Sequence, residues 1–114
     1  MEMSVVSKQD GYTHVALAGR LDPESVREKG YTFHEYTAAE GKPTLVDMTE
    51  VEFLASLGVG MLLQAAKELA VSGAKLVLVN PQQMVEGTLR SAGIVGMIHI
   101  ARDTDEAKRA IGVA

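Results

Sequence analysis

A single hydroxyl, that of Ser56, lies in the stretch FLASLGVG (residues 53–60), where a strand-like run gives way to a helix-like run. The first N–H groups of a helix have no intrahelical partner, and its dipole is positive there, so an anion or a phosphorylated hydroxyl suits this position. Ser56 therefore has two candidate roles. It is either a helix N-cap, worth about 1 kcal/mol, or a phosphorylation target. We favour the cap, because serines at helix starts routinely bond to nearby backbone groups.

Two aspartates, Asp22 and Asp47, follow predicted strands, and the carboxyl ends of strands in a mainly parallel sheet gather at one edge. Two neighbouring carboxylates are typical of acid–base chemistry or of a phospho-acceptor aspartate. The sequence places no lysine or second acidic cluster with them, as a phospho-acceptor pocket would need. We therefore interpret Asp22 as a helix cap and Asp47 as an acceptor for loop N–H groups.

Other kinds of chemistry find little support. His14, His34 and His99 lie on different predicted elements without the spacing of metal ligands. The run GVG (58–60) lacks the third glycine of a dinucleotide fingerprint and the lysine of a phosphate-binding loop, and no Gly-x-Ser-x-Gly elbow is present. We expect no catalytic residue, no metal and no cofactor.

Composition narrows the class of protein. The 114 residues are 46% hydrophobic and 23% charged, which predicts one globular domain over residues 1–114. The net charge is −4 with acids and bases mixed, so no basic stripe favours nucleic acid. The sequence has no cysteine, no signal-peptide core, and no apolar run near the roughly 18 residues that span a bilayer. We expect a cytoplasmic protein that does not insert into a membrane.

The elements that must position Ser56 begin with a hairpin. Asp10 and Gly11 separate two β-prone runs, and Asp-Gly is typical of a two-residue hairpin turn. A helix then starts at Asp22, with Pro23 suited to its first position. The residues of this helix that we expect in the core are Val26, Phe33 and Tyr36.

The rest of the chain alternates between strands and helices. The predicted elements are a strand at 44–48, a helix at 57–72, a strand at 75–80, a helix at 81–93, a strand at 97–101 and a helix opened by residues 103–106. The residues that we expect to face inward from the helix at 81–93 are Met84, Val85, Leu89 and Ala92. The order is ββαβαβαβα, which predicts an α/β fold with a mixed, mainly parallel sheet of about five strands and four helices.

Four segments in this arrangement resemble those of a STAS domain, the fold shared by bacterial anti-sigma factor antagonists and the cytoplasmic tails of sulphate transporters. The segments are GRLD (19–22), LVDMTEVEFL (45–54), SGAKLVL (72–78) and VEGTLRSAG (85–93). Together they cover nearly the whole chain, so the resemblance implies one STAS-type domain. It also implies a regulatory partner, an anti-sigma factor or a histidine-kinase-like ATPase.

The resemblance breaks at the family's phosphorylation motif, Asp-Ser-Ser/Thr-Gly, whose third residue an anti-sigma kinase phosphorylates. The matching positions here are Ala55, Ser56, Leu57 and Gly58. Because leucine cannot accept a phosphoryl group, the resemblance implies the fold and the partner class without the usual switch. Ser56 is the hydroxyl that remains for phosphorylation.

Leu57 and Met61 are four residues apart, away from the face that Leu62 and Leu69 make. They either form an exposed apolar patch for a protein contact, or Leu57 folds over the core beside Phe53. The residues that we expect to bind the partner are Asp22, Ser56, Leu57, Gly58 and Met61.

The alternative function is a scaffold or ligand-sensing STAS module that binds a small anion, a lipid or another STAS domain, and a homodimer is also compatible with the sequence. An enzyme using both aspartates ranks last.

Overall fold

The computed structural model describes residues 1–8 and 11–113, which form one five-stranded sheet with helices on both faces. The elements in chain order are β1 (Glu2–Lys8), β2 (Thr13–Leu21), α1 (Pro23–Tyr36), a 3-10 turn (Ala38–Glu40), β3 (Thr44–Leu54), α2 (Ser56–Val71), β4 (Leu76–Val79), α3 (Gln83–Ser91), β5 (His99–Ala101) and α4 (Thr104–Ala110). The predicted α/β class and the order ββαβαβαβα are confirmed. Within the described residues, none of the helices combines the length and apolar character that a bilayer crossing requires.

The strands lie side by side in chain order, β1 to β5. β1 is antiparallel to β2, and the other neighbours are parallel, as the helical crossovers that join them require. The strands predicted at 44–48 and 75–80 are confirmed and lie side by side, since Thr44 pairs with Leu76 and Asp47 with Val79. The predicted turn includes Asp10, which lies outside the described residues.

The two faces of the sheet carry separate cores. The larger core joins the sheet to α1, α2 and α3 through Phe33, Leu62 and Leu89. The smaller core joins the other face to α4 through Ala107. Because α1 and α2 share one face, the start of α2 lies beside α1 at the carboxyl edge of the sheet.

β3 is longer than the sequence indicates. It continues past the predicted end at 48 to Leu54, and its second half pairs with β2 alone, from Glu50 opposite Ala18 to Leu54 opposite Leu21. Two register shifts in the pairing of β2 with β3 accommodate this extension. The strand therefore delivers the chain directly to the first residue of α2.

Three residues that were expected in the core are exposed, and a fourth is only half-buried. In α1, Phe33 is buried as expected, but Val26 is only half-buried and Tyr36 is 39% exposed. In α3, Val85 and Leu89 are buried as expected, whereas Met84 is 77% exposed. Ala92, also expected inward, is exposed at the C-cap of α3.

Glu86 explains why Met84 faces outward. The Glu86 carboxylate lies on the buried side of α3, where it accepts hydrogen bonds from Arg102 at 2.6 and 2.8 Å and from Arg90 at 2.6 Å. Met84 lies on the other side of the Val85–Leu89 stripe and contacts less of the core. The hydrogen bonds from Arg102 and Arg90 lower the pKa of Glu86 to about 2. The cluster ties α3 to the residue that follows β5.

Glu86→Gln should lower the urea midpoint of unfolding at pH 7, because the charged carboxylate is lost from both arginines. The folded pKa of about 2 lies below the ordinary value of 4.5, so the ionised carboxylate stabilises the fold above about pH 4.5. That stabilisation is lost as the pH falls from 4.5 towards 2. The difference in midpoint between wild type and Glu86→Gln should therefore shrink at pH 2.5. An equal difference at both pH values would contradict a role for the charge.

Candidate functional site

The start of α2 is seated on the end of β2 by backbone hydrogen bonds. Ala55 is the N-cap residue, with extended backbone angles, and its N–H donates to the Leu21 carbonyl at 3.0 Å. Its own carbonyl accepts from Val59 N–H at 3.0 Å, the first bond of the helix. An alanine has no side-chain acceptor, so α2 begins without a side-chain cap and without an acidic residue in its first turn.

The expectation that Ser56 caps α2 is therefore wrong. Ser56 is the first residue inside the helix, and its exposed side chain makes no capping bond. The cap position lies one residue earlier because the Ala55 N–H is held by Leu21, a contact from another element that local sequence does not reveal. The Ser56 hydroxyl remains at the rim of an open helix start.

Asp22 caps α1, as predicted. Its Oδ1 accepts from Ser25 N–H at 2.9 Å, and Ser25 Oγ accepts from Asp22 N–H at 3.0 Å, which is a reciprocal capping box. The hydrogen bonds from Ser25 lower the pKa of Asp22. Arg20 places Nε 3.7 Å from Asp22 Oδ2 and stacks its guanidinium 4.2 Å from the centre of the Phe53 ring.

Asp47 is an N–H acceptor, as expected, but it lies within β3 rather than after a strand. Its Oδ1 accepts from Thr49 N–H at 2.9 Å and from Thr49 Oγ1 at 2.6 Å. Asp47 pairs with Ala16, six residues before Asp22, so at about 3.3 Å per strand residue the two aspartates are roughly 15–20 Å apart. This separation argues against any chemistry that needs both carboxylates together.

Gly58 and Gly60 differ sharply in their surroundings. A Cβ on Gly58 would lie 2.8 Å from Leu54 Cδ1 and 2.9 Å from the Leu21 carbonyl oxygen, whereas one on Gly60 would meet nothing within 4 Å. Gly58 is buried and lets its own chain approach, and only Gly60 leaves open space at the surface.

Of the two orientations that the sequence allows for Leu57, the structure has the exposed one. Leu57 is 43% exposed, whereas Met61 is partly buried and packs against the larger core. Both line a groove of about 280 Å³ between α1 and α2. The residues that line this α1–α2 groove are Val26, Gly30, Phe33, His34, Leu57, Gly60, Met61, Gln64 and Ala65.

Sequence reasoning missed the other side of the α2 start. Met84 and Phe53 line a smaller depression between β3 and α3, and Ser56 and Val59 line a groove between α2 and α3. The exposed Met84 thus belongs to the wall of the depression between β3 and α3. Its position off the apolar stripe of α3 was a usable clue, since a large apolar residue on a polar helix face often marks a contact surface.

The histidines do not form a site. The described residues contain no group of three or more His, Asp or Glu side chains placed to hold a metal ion. His34 Nε2 lies 2.7 Å from Glu68 Oε2, and burial lowers the pKa of His14 in β2.

A protein-family model described as "Mlab, STAS domain" matches residues 4–99. A Thermotoga maritima structure described as a candidate anti-sigma factor antagonist is similar, with TM-score 0.82 and 19% identity over 96% of this chain and 92% of the other. Unphosphorylated SpoIIAA, an anti-sigma factor antagonist, gives TM-score 0.79 and 19% identity over 99% of both chains. An anti-sigma factor antagonist from Mycobacterium paratuberculosis gives TM-score 0.77 and 20% identity over 96% of this chain and 94% of the other. No curated protein matches the sequence.

Ser56→Ala should change the free energy of unfolding by less than about 0.5 kcal/mol, because an exposed side chain without a capping bond is removed. Ala55→Ser should stabilise the protein by about 1 kcal/mol, because it adds a side-chain acceptor at the true cap position. Urea unfolding of the two variants and wild type measures both changes. If Ser56→Ala instead lost about 1 kcal/mol of unfolding free energy, the result would indicate that the Ser56 side chain does cap α2.

Gly58→Ala should destabilise the protein by about 1–3 kcal/mol, because the new methyl group overlaps the Leu21 carbonyl and the Leu54 side chain. Gly60→Ala, two residues later in the same helix, is the matched control. It should stabilise by about 0.5–1 kcal/mol through helix propensity, since open space receives its methyl group. Thermal and urea unfolding should thus give changes in unfolding free energy of opposite sign for the two variants. Changes of the same sign would contradict the close approach at Gly58.

Proposed function

We propose that this chain, which belongs to the STAS domain family, is a non-catalytic cytoplasmic regulator that binds an anti-sigma factor or a related histidine-kinase-like ATPase. The observation that carries the proposal is Leu57, a leucine 43% exposed at the uncapped start of α2. Large apolar side chains at an exposed helix end are typical of protein contacts rather than of catalysis. Similar structures named as anti-sigma factor antagonists support this partner class.

Each proposed binding residue has a distinct role. Leu57 supplies the apolar contact, and Met61 forms the groove wall behind it. Ser56 offers an exposed hydroxyl at the rim. Gly58 acts indirectly, because its missing side chain lets α2 approach Leu21 and so sets the position of Leu57. Asp22 fixes the start of α1, the facing wall.

The proposed mechanism has no phosphorylation switch at the family position. Leu57 occupies the place where relatives carry the phosphorylated hydroxyl, and a hydrocarbon side chain has no nucleophile. Adding a phosphate's charge of about −2 there would oppose apolar contact with a partner, so a leucine keeps the surface permanently in its binding form. The protein then sequesters its partner at all times, and regulation comes from the amounts of the two proteins.

Leu57→Asp should abolish capture of the partner while leaving stability nearly unchanged, because the side chain is exposed and a carboxylate suits the first turn of a helix. Val71→Asp is the matched control, since Val71 is 89% exposed at the other end of α2. Immobilised wild type and Val71→Asp should retain a histidine-kinase-like ATPase from a lysate of the source organism, identified by mass spectrometry. Loss in both variants, or a small molecule recovered instead of a protein, would contradict the proposal and favour the ligand-sensing alternative.

Incubated with the captured kinase and ATP, wild type should incorporate little phosphate, because residue 57 offers no hydroxyl. Leu57→Ser should gain phosphorylation, since the backbone already presents that residue at an open, positively polarised helix start. Intact-mass spectrometry measures the stoichiometry and peptide mapping the position. Phosphate on Ser56 of wild type would show that the switch has moved by one residue rather than disappeared.

A further inference from the structure

His14 is a buried histidine whose Nε2 atom has no hydrogen-bond partner among the described residues. The residue is 7% exposed. Because side chains alternate along a strand, and Val15 and Leu17 pack in the larger core, His14 points to the opposite face of the sheet with Tyr12. In β3, its neighbour across the sheet is Leu45, a member of the smaller core. His14 therefore lies at the margin of the smaller core, on the face that α4 covers.

α4 is held to this face by a small contact surface. It is seven residues long, and the residue that it buries is Ala107. Its Lys108 ammonium lies 5.8 Å from the centre of the Tyr12 ring, two residues from His14. Segments that bury little apolar surface open locally at a lower cost in free energy than the whole domain unfolds. α4 is therefore the element that can open over His14 while the larger core stays intact.

Each element beside His14 presents a defined group to it. β1 places the uncharged Ser7 opposite, and β2 itself places the Tyr12 phenol on the same face. The charged groups are the Asp47 carboxylate of β3, which favours a proton on His14, and the Lys108 ammonium of α4, which opposes one. Burial is the largest effect, and it disfavours the charged imidazolium. The net result is that the pKa of His14 is lowered.

A lowered pKa couples the proton on His14 to folding with a definite sign. The ordinary pKa of histidine is 6.5 and the folded pKa of His14 lies below it, so the neutral imidazole stabilises the closed structure above pH 6.5. As the pH falls below 6.5, an opened state takes up a proton that the closed state excludes. The stabilisation is therefore lost progressively until the pH passes the folded pKa.

We infer that His14 makes the docking of α4 sensitive to acid, so that a proton on the buried imidazole releases α4 from the sheet while the larger core stays folded. A buried imidazolium needs hydrogen-bond acceptors, and Nε2 has none among the described residues. The Asp47 Oδ1 atom already accepts from Thr49 N–H at 2.9 Å and from Thr49 Oγ1 at 2.6 Å. Opening of α4 admits solvent to His14 and moves the opposing Lys108 ammonium away. This acid response belongs to the face of the sheet opposite α2, and it does not depend on which partner α2 binds.

The direct test is amide hydrogen exchange of the full chain by NMR at pH 7.5 and pH 5.5, on either side of 6.5, with each rate divided by that of an unstructured amide at the same pH. The protection of Ala107 and Lys108 in α4 should fall at pH 5.5, whereas that of Leu62 and Leu69 in α2 should not. An equal loss in α2 would show unfolding of the whole domain and would overturn the release of α4.

Two histidine variants identify the titrating group. His14→Phe replaces the imidazole with an apolar ring, so α4 should be equally protected at both pH values. His99→Gln is the matched control, because His99 is exposed in β5, and it should keep the wild-type loss. An undiminished acid loss in His14→Phe, or its disappearance in His99→Gln, would overturn the inference.

Two charge variants keep the test decisive even if His14→Phe does not fold. Lys108→Gln removes the ammonium that opposes the proton, so the acid loss of α4 protection should shrink. Asp47→Asn removes the carboxylate that favours the proton, so the loss should grow. Each variant is compared with itself at the two pH values, so a change in stability common to both pH values cancels. Changes in the same direction for the two variants, or no change in either, would overturn the assignment of the acid response to His14.

Discussion

At Gly58 the first turn of α2 approaches the end of β2 so closely that a Cβ would lie 2.9 Å from the Leu21 carbonyl oxygen. The same carbonyl accepts the Ala55 N–H at 3.0 Å, so one backbone group holds both the cap residue and the first turn. Since Leu21 is followed directly by the cap of α1, this contact ties the start of α2 to the start of α1 at one end of β2. The groove between them and the direction of Leu57 both follow from that contact.

This contact also explains how one residue can be exposed while its neighbours are buried. Gly58 and Val59 lie against the core, which turns Leu57 and Gly60 towards solvent. Leu57 then lies at the carboxyl edge of the sheet, where it lines the α1–α2 groove. A serine or threonine at the same position would be equally exposed.

The sequence was sufficient where short-range chemistry decides the structure. Asp22 and Pro23 set the start of α1, and the apolar runs at 44–48 and 76–79 set two adjacent buried strands. The sequence was insufficient where a group distant along the chain decides the local structure. Ser56 looks like a cap until the Leu21 carbonyl fixes the extended residue one position earlier, and Gly58 looks like a surface glycine until β2 is placed beneath it. Met84 was misassigned because Glu86 occupies the buried flank of α3 with two arginine partners.

The first turn and a half of α2 combines three features that lower stability in isolation. It has no side-chain cap, it has a glycine at 60 that packing does not require, and it exposes the leucine at 57. A cap is worth about 1 kcal/mol, and an interior helical glycine costs a similar amount. α1 carries a reciprocal capping box and α4 an aspartate cap, whereas α3, like α2, begins without a side-chain cap and has an interior glycine, Gly87, with open space around it. Sites where local rules are broken together are expected to be functional, because natural proteins give up stability mainly where binding needs the space or the open polar groups. Since α3 shares the missing cap and the interior glycine, the argument for binding at the start of α2 that does not depend on any relative is the exposed Leu57 beside the open space at Gly60.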